Sequence, residues 1–155
     1  RSVTPAIDVL TEAGIDYKLH SYSHDRANQS FGLEAATKLK VCPERVFKTL
    51  IAETDGYMCV GIIPVSAQLN LKRLAKAFGK KRLAMADSRR VERVTGYVVG
   101  GISPLGQKRE LPAFMDISSE LFKTIFVSAG RRGLDIEIRT FDLQDLIKAE
   151  LCRLI

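Results

Sequence analysis

The chain has 155 residues, 46% of them hydrophobic and 27% charged, enough for one compact domain with its own core and too few for a second. That balance excludes intrinsic disorder, and it excludes any need for a disulfide or metal to make a core, because a domain of this size buries roughly 70% of the surface of its extended chain. Twenty-four Lys and Arg against 18 Asp and Glu give a net charge of +6, which invites an acidic partner.

Thr4-Pro5 reads as a capping hydroxyl followed by proline at the first helical position, so a helix covers residues 6–13 and stops at Gly14. Over residues 15–22, Ile15, Tyr17 and Leu19 point one way and Asp16, Lys18 and His20 the other, as in a half-buried strand. A second helix over 31–39 gives way to Val41-Cys42-Pro43, and Pro43-Glu44-Arg45 begins a short helical turn. Strands at 46–53 and 57–65 flank Thr54-Asp55-Gly56, where Asp-Gly accepts the positive backbone angles of a tight hairpin. Residues 69–78 form an amphipathic helix, with Leu71, Leu74, Ala75 and Phe78 on one face and Gly79 as its stop. A short strand at 82–86 precedes a basic helix at 87–94, capped by Asp87 and closed by Gly96. Residues 96–106 then hold four glycines and a proline. Strands are expected at 111–117, 124–128 and 134–140, and a terminal amphipathic helix at 142–151. Because two neighbouring strands join through a tight hairpin, the sheet is not wholly parallel, and the expected class is mixed α+β in a single domain over 1–155.

The positive charge is concentrated. Lys72, Arg73, Lys76, Lys80, Lys81, Arg82, Arg89, Arg90 and Arg93 face only Asp87 and Glu92 within residues 72–93, while the remainder of the chain is near neutral. Such a stretch is either a solvated helix face or a nucleic-acid surface. Cys42, Cys59 and Cys152 are scattered and odd in number, which speaks for a reducing, cytoplasmic compartment. No apolar run approaches the ~18 residues of a membrane span. The opening Arg1-Ser2-Val3-Thr4-Pro5 lacks the apolar core of a signal peptide.

His20 and His24 have the spacing of helical metal ligands, but in a strand-like segment four residues span ~13 Å, so no metal site is expected. Gly100-Gly101-Ile102-Ser103-Pro104-Leu105-Gly106 matches neither common nucleotide-binding glycine pattern, and no cofactor is expected. Its bare backbone at Gly100 and Gly101, with the Ser103 hydroxyl, suits either a tight turn or a ligand-facing loop. Lys48 shares an otherwise apolar strand face with Val46, Leu50 and Ala52, whereas Thr49 faces oppositely. A cation there either snorkels to the strand end or faces a cleft. Ser128-Ala129-Gly130-Arg131-Arg132-Gly133-Leu134-Asp135 reads as a basic glycine turn between strands, either an anion-binding turn or an ordinary hairpin. No nucleophile stands beside a base in the local sequence.

At Lys48-Thr49-Leu50, at 96–108 and at 127–135, with Thr4-Pro5-Ala6, Phe31-Gly32 and Gln68-Leu69-Asn70-Leu71-Lys72 in support, the sequence resembles the YbaK/EbsC family of aminoacyl-tRNA editing proteins over nearly its whole length. The resemblance implies that family's α+β fold, a mixed, largely antiparallel sheet closing towards a barrel and surrounded by helices. It also implies a cytoplasmic deacylase, of hydrolase or thiolactone-forming lyase type, that acts in trans on cysteine mischarged to proline tRNA, beside a transiently bound prolyl-tRNA synthetase and away from any membrane. By the same resemblance Lys48, Gly100 and Gly101 are catalytic, and Tyr22, Thr49, Ser103, Ser128 and Asp135 bind substrate. The family mechanism is assisted by the thiol of the attached cysteine, which accounts for the missing nucleophile. Lys72, Lys76, Lys80, Lys81, Arg89, Arg90 and Arg93 then form a tRNA-binding patch. Ser66-Ala67 stands where Ala-Gly is expected, and Ala129 where glycine is common. An alanyl-tRNA(Pro) deacylase and a non-catalytic tRNA- or nucleotide-binding module are the competing readings.

Overall fold

The computed structural model describes residues 3–155; Arg1 and Ser2, where the segment read for a signal peptide begins, lie outside the described residues. In chain order the elements are α1 (Pro5–Ala13), β1 (Tyr17–Ser21), α2 (Phe31–Leu39), a 3-10 turn (Pro43–Arg45), β2 (Phe47–Thr54), β3 (Tyr57–Pro64), α3 (Leu71–Phe78), β4 (Ala84–Met85), α4 (Ser88–Thr95), β5 (Ala113–Asp116), a second 3-10 turn (Ile117–Leu121), β6 (Thr124–Arg131), β7 (Leu134–Arg139), α5 (Thr140–Ile147) and β8 (Glu150–Cys152). The helix starts follow their caps: Thr4 accepts from the Ile7 N–H, Asn70 from Arg73 and Asp87 from Arg89.

The strands form two sheets, ordered β4-β2-β3-β5-β8 and β1-β7-β6. Pairing is antiparallel except at β3–β5 and β5–β8, so the mixed, largely antiparallel α+β class holds. Closure towards a barrel does not. Among the described residues the sheets meet in one parallel bridge, Val46 to Phe126. Edge strand β4 reaches β2 only at Ala52 and Glu53, so no strand fills the gap beside the first half of β2.

Strand alternation sorts the core into layers. Phe47, Ile51, Val60 and Ile62 face Ile125, Val127, Ile136 and Ile138 across the main core, which α1 and α5 close with Leu10 and Leu143. On the other face of the five-stranded sheet, Ala52, Cys59 and Ile63 lie under Leu74 and Ala75 of α3. A third cluster joins Ala35 and Ala36 of α2 to Val46, Val65 and Phe126, which pins α2 over the bridge between the sheets.

Four expectations change. The terminal helix ends at Ile147, where Lys148 takes φ +53, and the chain then adds β8 beside β5. Residues 117–121 leave the strand for a 3-10 turn because Asp116 caps it through the Ser118 N–H. β6 runs on to Arg131 through a register shift after Ser128. In β1 the alternation fails: Leu19 is 47% exposed, while His20 tilts against the Phe126 ring and bonds Glu137 at 2.9 Å. No helix among the described residues is long and apolar enough to cross a membrane.

Candidate functional site

Where the sheets fail to close, a cavity of about 420 Å³ opens, lined by Phe47, Lys48, Thr49 and Leu50 of β2, Ser128 of β6, Asp135 of β7, Tyr22, Phe31 and the turn around Val99, Gly100 and Ile102. Four consecutive strand residues reach it because it runs along the open edge of β2. In an antiparallel ladder alternate residues turn their main-chain groups to opposite edges. The Val46 carbonyl accepts from Val65 on the β3 side and the Ile51 carbonyl from Ala86 on the other, so the Thr49 main chain turns to the open edge. The Thr49 hydroxyl is buried and has no hydrogen-bond partner among the described residues.

Lys48 is half-buried on the face opposite Thr49 and makes no ion pair among the described residues. Across the cavity, burial pushes the Asp135 carboxyl up to about 7. The Tyr22 phenol rises to about 12, first through burial and then through the charge of Asp135. Lys48, Thr49, Gly100, Tyr22, Ser128 and Asp135 therefore share one cavity, although they come from four separate stretches of chain. The set can polarise a carbonyl with a cation, bind an amine or take up a proton with a carboxyl poised near neutrality, and donate hydrogen bonds from hydroxyls.

Two further glycine-loop residues sit elsewhere. Ser103 is fully buried, with its hydroxyl accepting from the Leu105 N–H, which makes it a brace of the loop. Gly101 donates to Val98 and packs against main chain: a Cβ there would lie 2.7 Å from Arg131 Cα. Of the loop's glycines it is Gly100, at φ +89, that meets the cavity.

His20 and His24 are held apart by different carboxylates, Glu137 and Glu34. No group of three His, Cys, Asp or Glu that could hold a metal ion occurs among the described residues. Glu34 is a feature that the sequence reading missed. It is buried in α2 and accepts from His24 at 2.7 Å, from the Asp25 N–H at 2.7 Å and from Lys38 at 3.1 Å. Burial alone would raise its pKa, but these three bonds outweigh it and lower it to about 2. The bonds clasp the 22–30 segment, and Tyr22 with it, to α2. A glutamate followed four residues later by a lysine reads in sequence as ordinary helix-surface pairing.

The basic stretch does not form one flat patch. α3 packs on the outer face of the five-stranded sheet, whereas α4 buries Val91 in the main core on the opposite face. The cations form a belt around the β4 edge, with Lys80, Lys81 and Arg82 between the helices. Arg90 is bound to Glu53, Arg73 to the Ile155 carbonyl, and Lys80 lies 3.6 Å over the Tyr57 ring. The belt crosses β2 at Ala52–Glu53, and five strand residues place that crossing about 17 Å from Lys48.

Residues 31–146 match the sequence family described as the aminoacyl-tRNA editing domain. The chain is similar to an Enterococcus faecalis protein named as a candidate Cys-tRNA(Pro)/Cys-tRNA(Cys) deacylase, EbsC, with 33% identity over 87% of this chain and 82% of that one. It is also similar to the proline–tRNA ligase of Moorella thermoacetica, at 32% identity over 64% of this chain but only 17% of that enzyme. Among solved structures, a candidate trans-editing enzyme for prolyl-tRNA synthetase superposes with a TM-score of 0.86 over 97% of this chain and 94% of that one, at 19% identity, a likeness of fold.

Proposed function

The chain belongs to the aminoacyl-tRNA editing domain family, and we propose that, as a single editing domain over residues 1–155, it removes cysteine mischarged onto proline tRNA. The observation that carries this reading is the cavity: a lysine, a carboxyl poised near neutrality, a buried hydroxyl and an open strand edge converge there, and among the described residues that hydroxyl has no partner and neither Cys nor His lines the cavity. Such a site can position and polarise an ester but does not itself supply a sulfur or imidazole nucleophile.

The substrate brings its own. The thiol of the esterified cysteine attacks the ester carbonyl, the sulfur–carbon bond forms as the bond to the tRNA 3′ oxygen breaks, and the thiol proton ends on that oxygen. Free tRNA and a cyclic thiolactone leave; water then opens the thiolactone to cysteine. Lys48 and the edge amide of Thr49 stabilise the developing oxyanion, Asp135 accepts and returns the proton, and Tyr22, Ser128 and Gly100 orient the aminoacyl group. Each well-placed donor to the oxyanion contributes roughly 3 kcal/mol. The basic belt holds the tRNA backbone, and a transiently bound prolyl-tRNA synthetase supplies tRNA identity.

The test offers purified protein Cys-tRNA(Pro), Ala-tRNA(Pro) and Ser-tRNA(Pro). Rapid discharge of the cysteinyl species, with the seryl species left intact, supports the thiol-assisted reaction. Preferred discharge of the alanyl species makes it an alanine-editing enzyme, and salt-sensitive binding without discharge makes it a binding module.

A further inference from the structure

We infer that Arg132, which lies outside the cavity, is the positioning residue that holds its roof. The roof consists of Phe31 at the start of α2 and the Val99–Gly100 turn, two stretches 68 residues apart in sequence. Arg132 ties them together from the turn between β6 and β7. Its Nε and one terminal nitrogen both donate to the Val99 carbonyl, at 2.9 and 2.6 Å, and its guanidinium lies 4.9 Å from the centre of the Phe31 ring. A planar guanidinium can make both contacts at once, bonding the carbonyl through its edge nitrogens while its cation lies by the ring; an ammonium has no such plane.

The packing leaves no slack around this joint. A Cβ on Gly100 would come within 2.8 Å of Phe31 and 2.9 Å of Arg132 Nε, and Gly101 packs on the Arg131 main chain. The same turn receives the Tyr22 N–H at the Gly133 carbonyl, 2.9 Å. One hairpin turn thus sets three cavity walls, and Arg132 is the side chain that reaches two of them. The inference rests on the deacylase reading for what the roof binds, but not for whether Arg132 holds it.

The experiment compares the full chain with Arg132→Ala and Arg132→Lys by amide hydrogen exchange over residues 98–102, by thermal melting and by steady-state deacylation of Cys-tRNA(Pro). Arg132→Ala is expected to keep the melting profile while exchange at Gly101 rises about five- to tenfold. KM rises by a similar factor with kcat changed less. Arg132→Lys behaves like the alanine variant, and added methylguanidinium restores Arg132→Ala but not Arg132→Lys. Unchanged Gly101 exchange in Arg132→Ala overturns the inference, as does raised exchange with an unchanged KM. If the wild-type chain discharges nothing, the deacylase reading falls and the exchange measurement still decides the role of Arg132.

Discussion

Ser128 stands directly opposite Asp135 in the β6–β7 ladder, so the register of one hairpin delivers both polar groups to the cavity. Asp135 is 6% exposed, and burial holds the pKa of its carboxyl at about 7, above its ordinary value of 3.8. Between these values the folded chain binds more protons than the unfolded one, so this group makes stability fall as pH rises from about 4 to about 7. Asp135→Asn is expected to flatten that slope and to raise stability at pH 8 by up to about 4 kcal/mol, read from urea melts at pH 4 and pH 8. In the proposed reaction the same variant loses the rise of deacylation rate through neutral pH.

Lys48 should behave in the opposite way, costing little in stability and much in rate. It is half-buried and makes no ion pair among the described residues, so Lys48→Met should melt close to wild type. In the proposed reaction, loss of the cation that stabilises the oxyanion is expected to lower kcat by about 10²- to 10³-fold. Full activity in Lys48→Met would remove it from the proposed mechanism.

Gly101 separates loop architecture from chemistry. A Cβ there would meet the Arg131 Cα at 2.7 Å and the Arg131 carbonyl carbon at 2.9 Å, both main-chain atoms that have no rotamer to escape into. Gly101→Ala is expected to destabilise by about 1–3 kcal/mol, seen as a lower denaturation midpoint, with activity falling as the β6–β7 turn shifts.

Sequence periodicity was enough to place α1, α2, the β2–β3 hairpin, α3 and α4 within a few residues, and all of them but α2 carry a cap, a stop or a tight-turn pair. β8 was not legible: three residues beside a helix carry no period of their own, and only pairing with β5 makes them a strand. The gap between the sheets was equally hidden. Whether β2 meets a neighbour along its outer edge is a tertiary fact, and the alternation that put Lys48 and Thr49 on opposite faces gives no hint that an open edge brings both to one cavity. Family resemblance named Lys48, Thr49, Tyr22, Ser128 and Asp135, which the fold brings to one cavity, while the Ser103 hydroxyl of the same glycine motif is spent on the loop's own turn.

The Glu34 clasp gives the fold an acid limit. Its folded pKa of about 2 lies below the ordinary value of 4.5, so its contribution is complete above about pH 4.5 and is lost as pH falls through about 2. Glu34→Gln should lose about 2–3 kcal/mol at pH 7 and almost nothing near pH 2. Proteolysis within residues 22–30, which the clasp ties down, should quicken at pH 7 in the variant. A stability difference independent of pH would show that the charge of Glu34 is not what holds the segment.

The sharpest test of the basic belt lies in an acid. Glu53 holds the Arg90 guanidinium at the point where β4 crosses β2, so one cation of the belt is already neutralised within the chain. If the belt carries tRNA, Glu53→Ala removes a negative charge from the contact surface and frees Arg90 for a phosphate. Binding should strengthen severalfold, and the slope of log affinity against log salt should steepen by up to about 0.9, the increment for one added phosphate contact on a duplex. Arg89→Glu with Arg93→Glu should weaken binding and flatten the slope, and neither change should alter kcat, since none of Glu53, Arg89 and Arg93 lines the cavity. An affinity for tRNA that ignores Glu53→Ala and the double variant alike would move the nucleic-acid surface off this edge.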